Sequence, residues 1–400
     1  MIKNVAIVGG GNSAHVLIPF LSSSGYQVRL LTRKPQSWDK NITLEYQTPE
    51  GEIIKEYHGK IDQVTSDPND IIPDSDLIIL CMPVASYRKA LHHIASSIRR
   101  DKKVYIMAIY GQAGFDWMVN EVKKKESLTD IVTCAIGLIP WVCRTKKYGR
   151  IGITYGPKAV NVACVDRADE FPYLQRTVLD DLCFRWFDTG HFVKSDNFVS
   201  LSLSVDNQII HTTRLFGLYL RYKGIWQKKE DVPYFYKDYD QLSADLLGEL
   251  DADYSLIREG IRHRFREKDF KYMLDYLALE RFSYNSSNAS ILESFQNSVT
   301  LRAIATPTVT NEKGEQVFDK HHRFFTDDIY YGLCIAKWFA QQMDLSVPTI
   351  DRILRWAQDL LEVRILDNDN RLDVDSLTKD RFLTGIPVVY GFSSLEECIS

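Results

Sequence analysis

Residues 4–8 read NVAIV, a short β-branched run, and GGGNSA follows at once. The apolar stretch HVLIPFLSSSGY comes next, and a second extended run covers residues 27–32. Strand, glycine turn, helix and strand within about 30 residues constrain this chain more than any other feature, because a G-x-G-x-x-A dinucleotide fingerprint requires that context. Gly9 permits the tight turn, Gly11 lets a diphosphate approach the backbone, and Ala14 lets the helix pack close to the strand. The free N–H groups and dipole of the helix start, where Asn12 and Ser13 stand, favour a diphosphate. Val16, Leu17, Phe20 and Leu21 share one helical face, and Gly25 stands where a helix C-terminus wants a left-handed residue.

The end of the second strand should choose the cofactor. An acid there would hydrogen-bond the ribose 2′-OH of NAD. Thr32-Arg33-Lys34-Pro35 has none. A hydroxyl and two cations suit a 2′-phosphate, so NADP is preferred, with NAD possible; the alternative is an Arg33 stacked on adenine or solvated. Residues 44–57 read as two extended pieces around TPEGE, a hairpin insertion. Buried strands are expected at 76–82, ending at Pro83, and at 104–109 and 131–136. The strand ends at 81–84, Pro83 included, and at 110–112 should line the cofactor cleft. Extended stretches at 152–155 and 159–165 complete a Rossmann-type domain over 1–190.

From Asn197 the pattern turns helical, with helices expected at 203–220, 242–263, 276–284, 290–303, 328–343 and 349–362. Pro348 suits a first turn, where its missing N–H is harmless. The apolar stretch 382–392 should dock back on the body. The fold class is therefore α/β: an N-terminal Rossmann-type domain, then an all-helical substrate domain over 191–400. Net charge is −4 and no basic block stands out, which argues against nucleic acid and anionic membrane as partners. No apolar stretch approaches the ~18 residues of a membrane span. The seven cysteines form no CxxC pair, so neither a metal site nor a disulfide framework is expected, and the reading is a cytoplasmic, reducing setting.

Two stretches could carry chemistry. In VDNQIIHTTRLFG, Asn207 and His211 stand four apart on one helical face. Histidine exchanges protons near neutral pH, though a histidine in an apolar helix is more often a satisfied core residue. In KHHRFFTDDIYYG, Asp327 and Asp328 open a helix with Thr326 as candidate cap, and Arg323 precedes them in a loop. An arginine fork suits a carboxylate substrate. The tyrosine-rich segment 231–242 is a candidate wall or lid, or an ordinary packed loop. His15 is expected to pack, and His92 and His93 to lie on a helix surface.

The GGGNSAH loop, GQAGFDW from Gly111 to Trp117, IPWVCR from Ile139 to Arg144, the NQIIH helix, RFFTDD from Arg323 to Asp328, and VPTID from Val347 to Asp351 together carry a resemblance. The chain resembles the opine dehydrogenases of the octopine/nopaline dehydrogenase family almost end to end, and most the octopine-type branch. The resemblance implies reductive condensation: an amino acid amine and a 2-oxo acid such as pyruvate form an imine, and NAD(P)H delivers hydride to its carbon. It makes His211 the proton donor and acceptor and Asp328 its carboxylate partner. Arg323, Asn207 and Gln112 become substrate-binding residues, in a monomer or homodimer. Two departures stand out: Asp327-Asp328 where the family often has Glu-Asp, and Leu138 where octopine-type members would carry a polar residue, which puts arginine as the amine in question. Pairing with Asp328 should raise the His211 pKa. The competing readings are a ketopantoate-reductase-like enzyme that needs no amine, and a non-catalytic NADP-binding sensor.

Overall fold

The computed structural model describes residues 1–298, 300–302 and 304–399. The chain divides into two compact units: Met1–Ser202 with Asp269–Tyr272 and Phe282–Asn285, and the rest from Leu203 onward. The boundary expected near residue 190 therefore moves to Ser202. The reason is a strand at His191–Ser195 that pairs in parallel with the strand before it and belongs to the first unit.

The strands of the first unit are, in chain order, β1 (Asn4–Val8), β2 (Gln27–Leu31), β3 (Asn41–Gln47), β4 (Ile53–Lys60), β5 (Gln63–Thr65), β6 (Leu77–Leu80), β7 (Val104–Ala108), β8 (Ile131–Ile136), β9 (Trp141–Lys147), β10 (Ile151–Pro157), β11 (Val160–Val165) and β12 (His191–Ser195). Eight of them form one sheet in the order β12-β11-β8-β7-β6-β1-β2-β5. Its neighbours run parallel except β8 with β11. The chain leaves β1 toward β2 and β5, then returns on the other side of β1 as β6. That reversal opens a crevice at the carboxyl ends of β1 and β6, where open α/β sheets bind ligands.

The insertion at β3 and β4 is the expected antiparallel hairpin, but it also joins a second sheet, ordered β4-β3-β10-β9. The 152–155 stretch, expected to help complete the domain, lies in β10 of this second sheet. This sheet lies on the helix Asn12–Ser23. Contact is so close that a Cβ on Gly59 would fall 2.4 Å from the Pro19 Cα, and one on Gly152 2.7 Å from the His15 Cβ. Phe20 of the same helix stacks on Trp186 and meets Tyr57 and Phe187 edge-on. Each large apolar side chain so buried contributes ~1.5–3 kcal/mol.

The second unit is mainly helical. Its longer helices are Asn207–Tyr222, Gln241–Arg264, Cys334–Gln342 and Pro348–Leu361. It also carries a three-stranded antiparallel sheet, Ile225–Trp226 with Gln316–Phe318 and Thr308–Thr310, which helical periodicity could not reveal. The helix expected over 290–303 is only Ile291–Gln296; Val299 and Ala303 lie outside the described residues. Pro348 does open its helix, whose amides at Thr349 and Ile350 both donate to Asp253. The tail docks on the unit: the Tyr331 hydroxyl donates to the Phe382 carbonyl, and Thr384 to that of Tyr330. No described helix is long and apolar enough to cross a membrane.

Gly59→Ala drives a methyl into backbone atoms that cannot step aside. It should cost about 1–3 kcal/mol of stability, read by denaturant unfolding. Gly248→Ala, whose methyl would meet only the Ile291 side chain at 3.6 Å, should be neutral or slightly stabilising.

Candidate active site

Asp206 caps the helix Asn207–Tyr222 by accepting the Asn207 N–H. Helical pitch then puts Asn207 and His211 one turn apart on one face, Asn207 half-buried and His211 fully buried. The His211 Nδ1 lies 2.7 Å from the Asp328 Oδ2, and its Nε2 lies 2.9 Å from the Tyr236 hydroxyl. Phe324 stacks on the imidazole at 3.7 Å between ring centres, and Phe235 meets it edge-on.

Asp328 reaches His211 because its own helix is irregular. Thr326 does not cap a helix opened by Asp327, as the composition suggested. Arg323 is not in a loop either: Arg323–Thr326 form a short helical turn capped by His322, whose Nδ1 accepts the Phe324 N–H. Asp328 then precedes a π-helical turn, Ile329–Leu333, where the Leu333 N–H donates back to the Asp328 carbonyl. The added residue re-aims the carboxylate inward, as π turns do at functional sites. Gly332 within it has no room for a side chain: a Cβ would lie 2.9 Å from the Gln208 Cγ.

The electrostatics reverse one expectation. Pairing with Asp328 was to raise the His211 pKa, but burial pushes it well below its ordinary value, and the Arg323 charge adds to that. Burial also pushes Asp328 up to about 8, against the opposing pull of Arg323. Both shifts have one cause: a dry surrounding disfavours either charge. The two groups titrate as a unit. At neutral pH that unit is uncharged, with a proton to give, and it loses the proton as pH rises through about 8.

Sequence reasoning missed Tyr236, Phe235 and Phe324. It marked the 231–242 segment without choosing among its tyrosines. It also missed Arg214, one turn beyond His211 and fully buried. The Arg214 guanidinium donates to the carbonyls of Tyr234, Phe235 and Asp238, and so fastens the tyrosine-bearing loop to the histidine's helix.

The first unit holds the other candidate residues. Gly9 has φ +104°, and a Cβ there would fall 2.5 Å from the Cys81 carbonyl oxygen, so β1 and β6 close on it. Gly10 is equally confined, with the Trp38 ring and the Tyr148 hydroxyl each 2.9 Å from a Cβ position. Gly11 precedes the helix without a side chain to cap the Asn12 and Ser13 amides, and Ala14 is buried. That cradle fits a diphosphate. Thr32 is buried at the end of β2, Arg33 and Lys34 are exposed beside it, and Pro83 is exposed past β6. Gln112 is buried after β7 and accepts from the Tyr110 hydroxyl at 2.8 Å. His15 does pack: its Nδ1 lies 2.9 Å from the Gly11 carbonyl, and its Nε2 accepts the Gly149 N–H at 2.8 Å. His92 is not on the surface as expected, but turned inward on Glu121 at 3.1 Å.

Residues 194–361 match the family described as NAD/NADP octopine/nopaline dehydrogenase, alpha-helical domain, and residues 4–108 match NADP oxidoreductase coenzyme F420-dependent. The chain is 24% identical over 411 residues to the opine dehydrogenase of Haliotis discus hannai, covering 99% of this chain and 98% of that one. It is 24% identical to the octopine dehydrogenase of Pecten maximus, covering 100% and 99%. A solved octopine dehydrogenase in complex with NADH and agmatine superposes with a TM-score of 0.81 at 22% identity, covering 99% and 98%. Along nearly its whole length the chain is similar to opine and octopine dehydrogenases, and residues 194–361 carry the match to the family's helical domain.

Two of the stretches that resemble the family have plain structural reasons here. In GQAGFDW, a Cβ on Gly111 would meet the Ala135 Cβ at 2.3 Å, and one on Gly114 would strike the Trp117 ring at 1.8 Å. Ala113 and Gly114, both left-handed, turn the chain into the helix Phe115–Glu126. In IPWVCR, the indole of Trp141 donates to the Leu182 carbonyl, and the segment forms β9 at the edge of the second sheet.

Gly332→Ala should press the π turn away from Gln208. We expect a stability loss of about 1–3 kcal/mol and a kcat loss at temperatures where the variant stays folded, with cofactor affinity unchanged. Calorimetry and equilibrium cofactor titration on the same preparation separate these effects.

Proposed function

We propose that this chain is an NAD(P)H-dependent opine dehydrogenase that condenses an amino acid amine with a small 2-oxo acid and reduces the imine. The observation that carries the reading is the fully buried His211–Asp328 pair with the Arg323 charge acting on both groups. Arg323 offers a guanidinium fork to the carboxylate of the 2-oxo acid. Asn207, one turn from His211, and Gln112 are proposed to bind the remaining polar groups of the substrates. Gly9, Gly11, Asn12, Ser13 and Ala14 would hold the cofactor diphosphate, with Pro83 lining its path. Thr32, Arg33 and Lys34 would bind a 2′-phosphate, favouring NADPH.

The proton balance then follows. The amine nitrogen bonds to the carbonyl carbon of the 2-oxo acid, and the resulting carbinolamine must lose its oxygen as water. The His211–Asp328 unit gives that oxygen a proton as the C–O bond breaks, and the nitrogen keeps its hydrogen as an iminium, so that hydride addition to the carbon leaves a neutral secondary amine. When bound, the reduced nicotinamide supplies hydride to the imine carbon, chemistry that belongs to the cofactor. The residues here bind, orient and move the proton, and general acid help of this kind contributes ~10²–10⁴-fold.

Screening amino acids and small amines against pyruvate, 2-oxoglutarate and glyoxylate should reveal amine-dependent NADPH or NADH oxidation. Full-rate oxidation without any amine would make the chain a simple oxo-acid reductase. His211→Asn should lower kcat ~10²–10⁴-fold while leaving cofactor binding intact. The reductive rate should fall as pH rises through about 8, where the unit loses its proton, and the oxidative rate should rise over the same range. Arg33→Ala should weaken NADPH more than NADH, by ~10-fold for a lost charge-assisted contact of ~1.5 kcal/mol; equal effects on both would remove the 2′-phosphate role.

A further inference from the structure

His211 has two ring nitrogens, and Nδ1 is occupied by Asp328 at 2.7 Å. A proton traded with substrate must therefore pass through Nε2, and Nε2 lies 2.9 Å from the Tyr236 hydroxyl. The imidazole is 0% exposed under Phe324, whereas Tyr236 keeps 6% of its surface open. The acid–base histidine is thus shielded behind a phenol.

We propose that Tyr236 is a catalytic residue: its hydroxyl, not the His211 imidazole, meets the reacting oxygen of the substrate, and Asp328, His211 and Tyr236 form a proton relay. The proposal rests on the reading of His211 and Asp328 as the acid–base unit. In the reductive direction the Tyr236 O–H gives its proton to the departing carbinolamine oxygen. Tyr236 takes the Nε2 proton of His211, and Nδ1 takes the proton of the Asp328 carboxyl. One proton leaves Asp328, one arrives at the substrate, and the C–O bond breaks to release water. The phenol gains a proton as it gives one, so it never carries a full charge in this low-dielectric setting. The imidazole only exchanges one neutral tautomer for the other, which suits a ring whose charged form burial disfavours.

The loop geometry serves the same end. Arg214 donates to the Phe235 carbonyl at 3.0 Å, to that of Tyr234 at 3.2 Å and to that of Asp238 at 2.7 Å. The carbonyls flanking Tyr236 are thereby held to the helix that carries His211. The Tyr236 ring also stacks on Phe295. Arg214 is a positioning residue in this scheme. It sets the distance between the phenol and Nε2 and never meets substrate.

Tyr236→Phe keeps the ring and its stacking and removes only the relay oxygen. With both substrates saturating, kcat should fall ~10²-fold while cofactor affinity stays unchanged. The native enzyme should give a curved proton inventory in mixed light and heavy water, since several protons move together; the variant should give a straight one. Replacing Tyr236 with a fluorotyrosine, which is more acidic but nearly the same size, should move the reductive pH profile to lower pH in a protein that folds like the native one. A Tyr236→Phe variant with kcat within twofold of native and an unaltered inventory, beside an inactive His211→Asn, would overturn the relay and leave the acid–base reading intact. Full activity in both variants would overturn the relay and that reading together.

Discussion

One hydrogen bond organises the second unit: His211 to Asp328, both closed off from solvent. Moving two ionisable groups out of water is costly, and their mutual attraction offsets that only in good geometry. The fold meets the condition by keeping both groups neutral at the pH where they would work. Phe324 and Phe235 enclose the ring. The π turn Ile329–Leu333 points the carboxylate at it, and Gly332 lets that turn seat against Gln208. Loss of any one of these supports would leave a buried donor or acceptor without its partner, at ~1–3 kcal/mol. A group that can neither ionise freely nor leave is suited to passing a proton along.

Glycines do comparable work in the first unit by removing atoms rather than adding them. Gly9 allows β1 and β6 to close at the crevice, and Gly59 and Gly152 bring the second sheet onto the first helix. His15 ties the two features together, reaching from the Gly11 carbonyl to the Gly149 amide. Burial lowers its pKa, so it serves as a neutral clamp with one fixed tautomer rather than as an acid. The two histidines thus show what the same residue does when its partners are amides and carbonyls, and when they are a carboxyl and a phenol.

The parts legible in the amino-acid order were those that local chain chemistry dictates. β1, the glycine turn and the first helix lie in one contiguous stretch, and their apolar spacing and turn residues say so directly. The His211–Asp328 pair is separated by 117 positions, and only resemblance to a family could join them. The second sheet was hidden for the same reason: β3 pairs with β10 across about a hundred residues, and neither strand's pattern names its partner. Tyr236 was one of several tyrosines in a single loop, and nothing in that spacing singles out the one that faces a histidine. The direction of the His211 pKa shift was misjudged because a sequence names the partner carboxylate but not how dry the pocket around both will be. His92 was misplaced because its partner, Glu121, lies on another helix.

The protonation state of the His211 ring tests the account most directly. Nitrogen NMR of the histidine-labelled protein reads each ring nitrogen as pH is varied. The account predicts a neutral imidazole at neutral pH and above, protonated on Nε2 below about 8 and on Nδ1 above it as Asp328 ionises. A doubly protonated, charged His211 ring at neutral pH would contradict it, because the pair would then be an ion pair and Asp328 would have no proton to give.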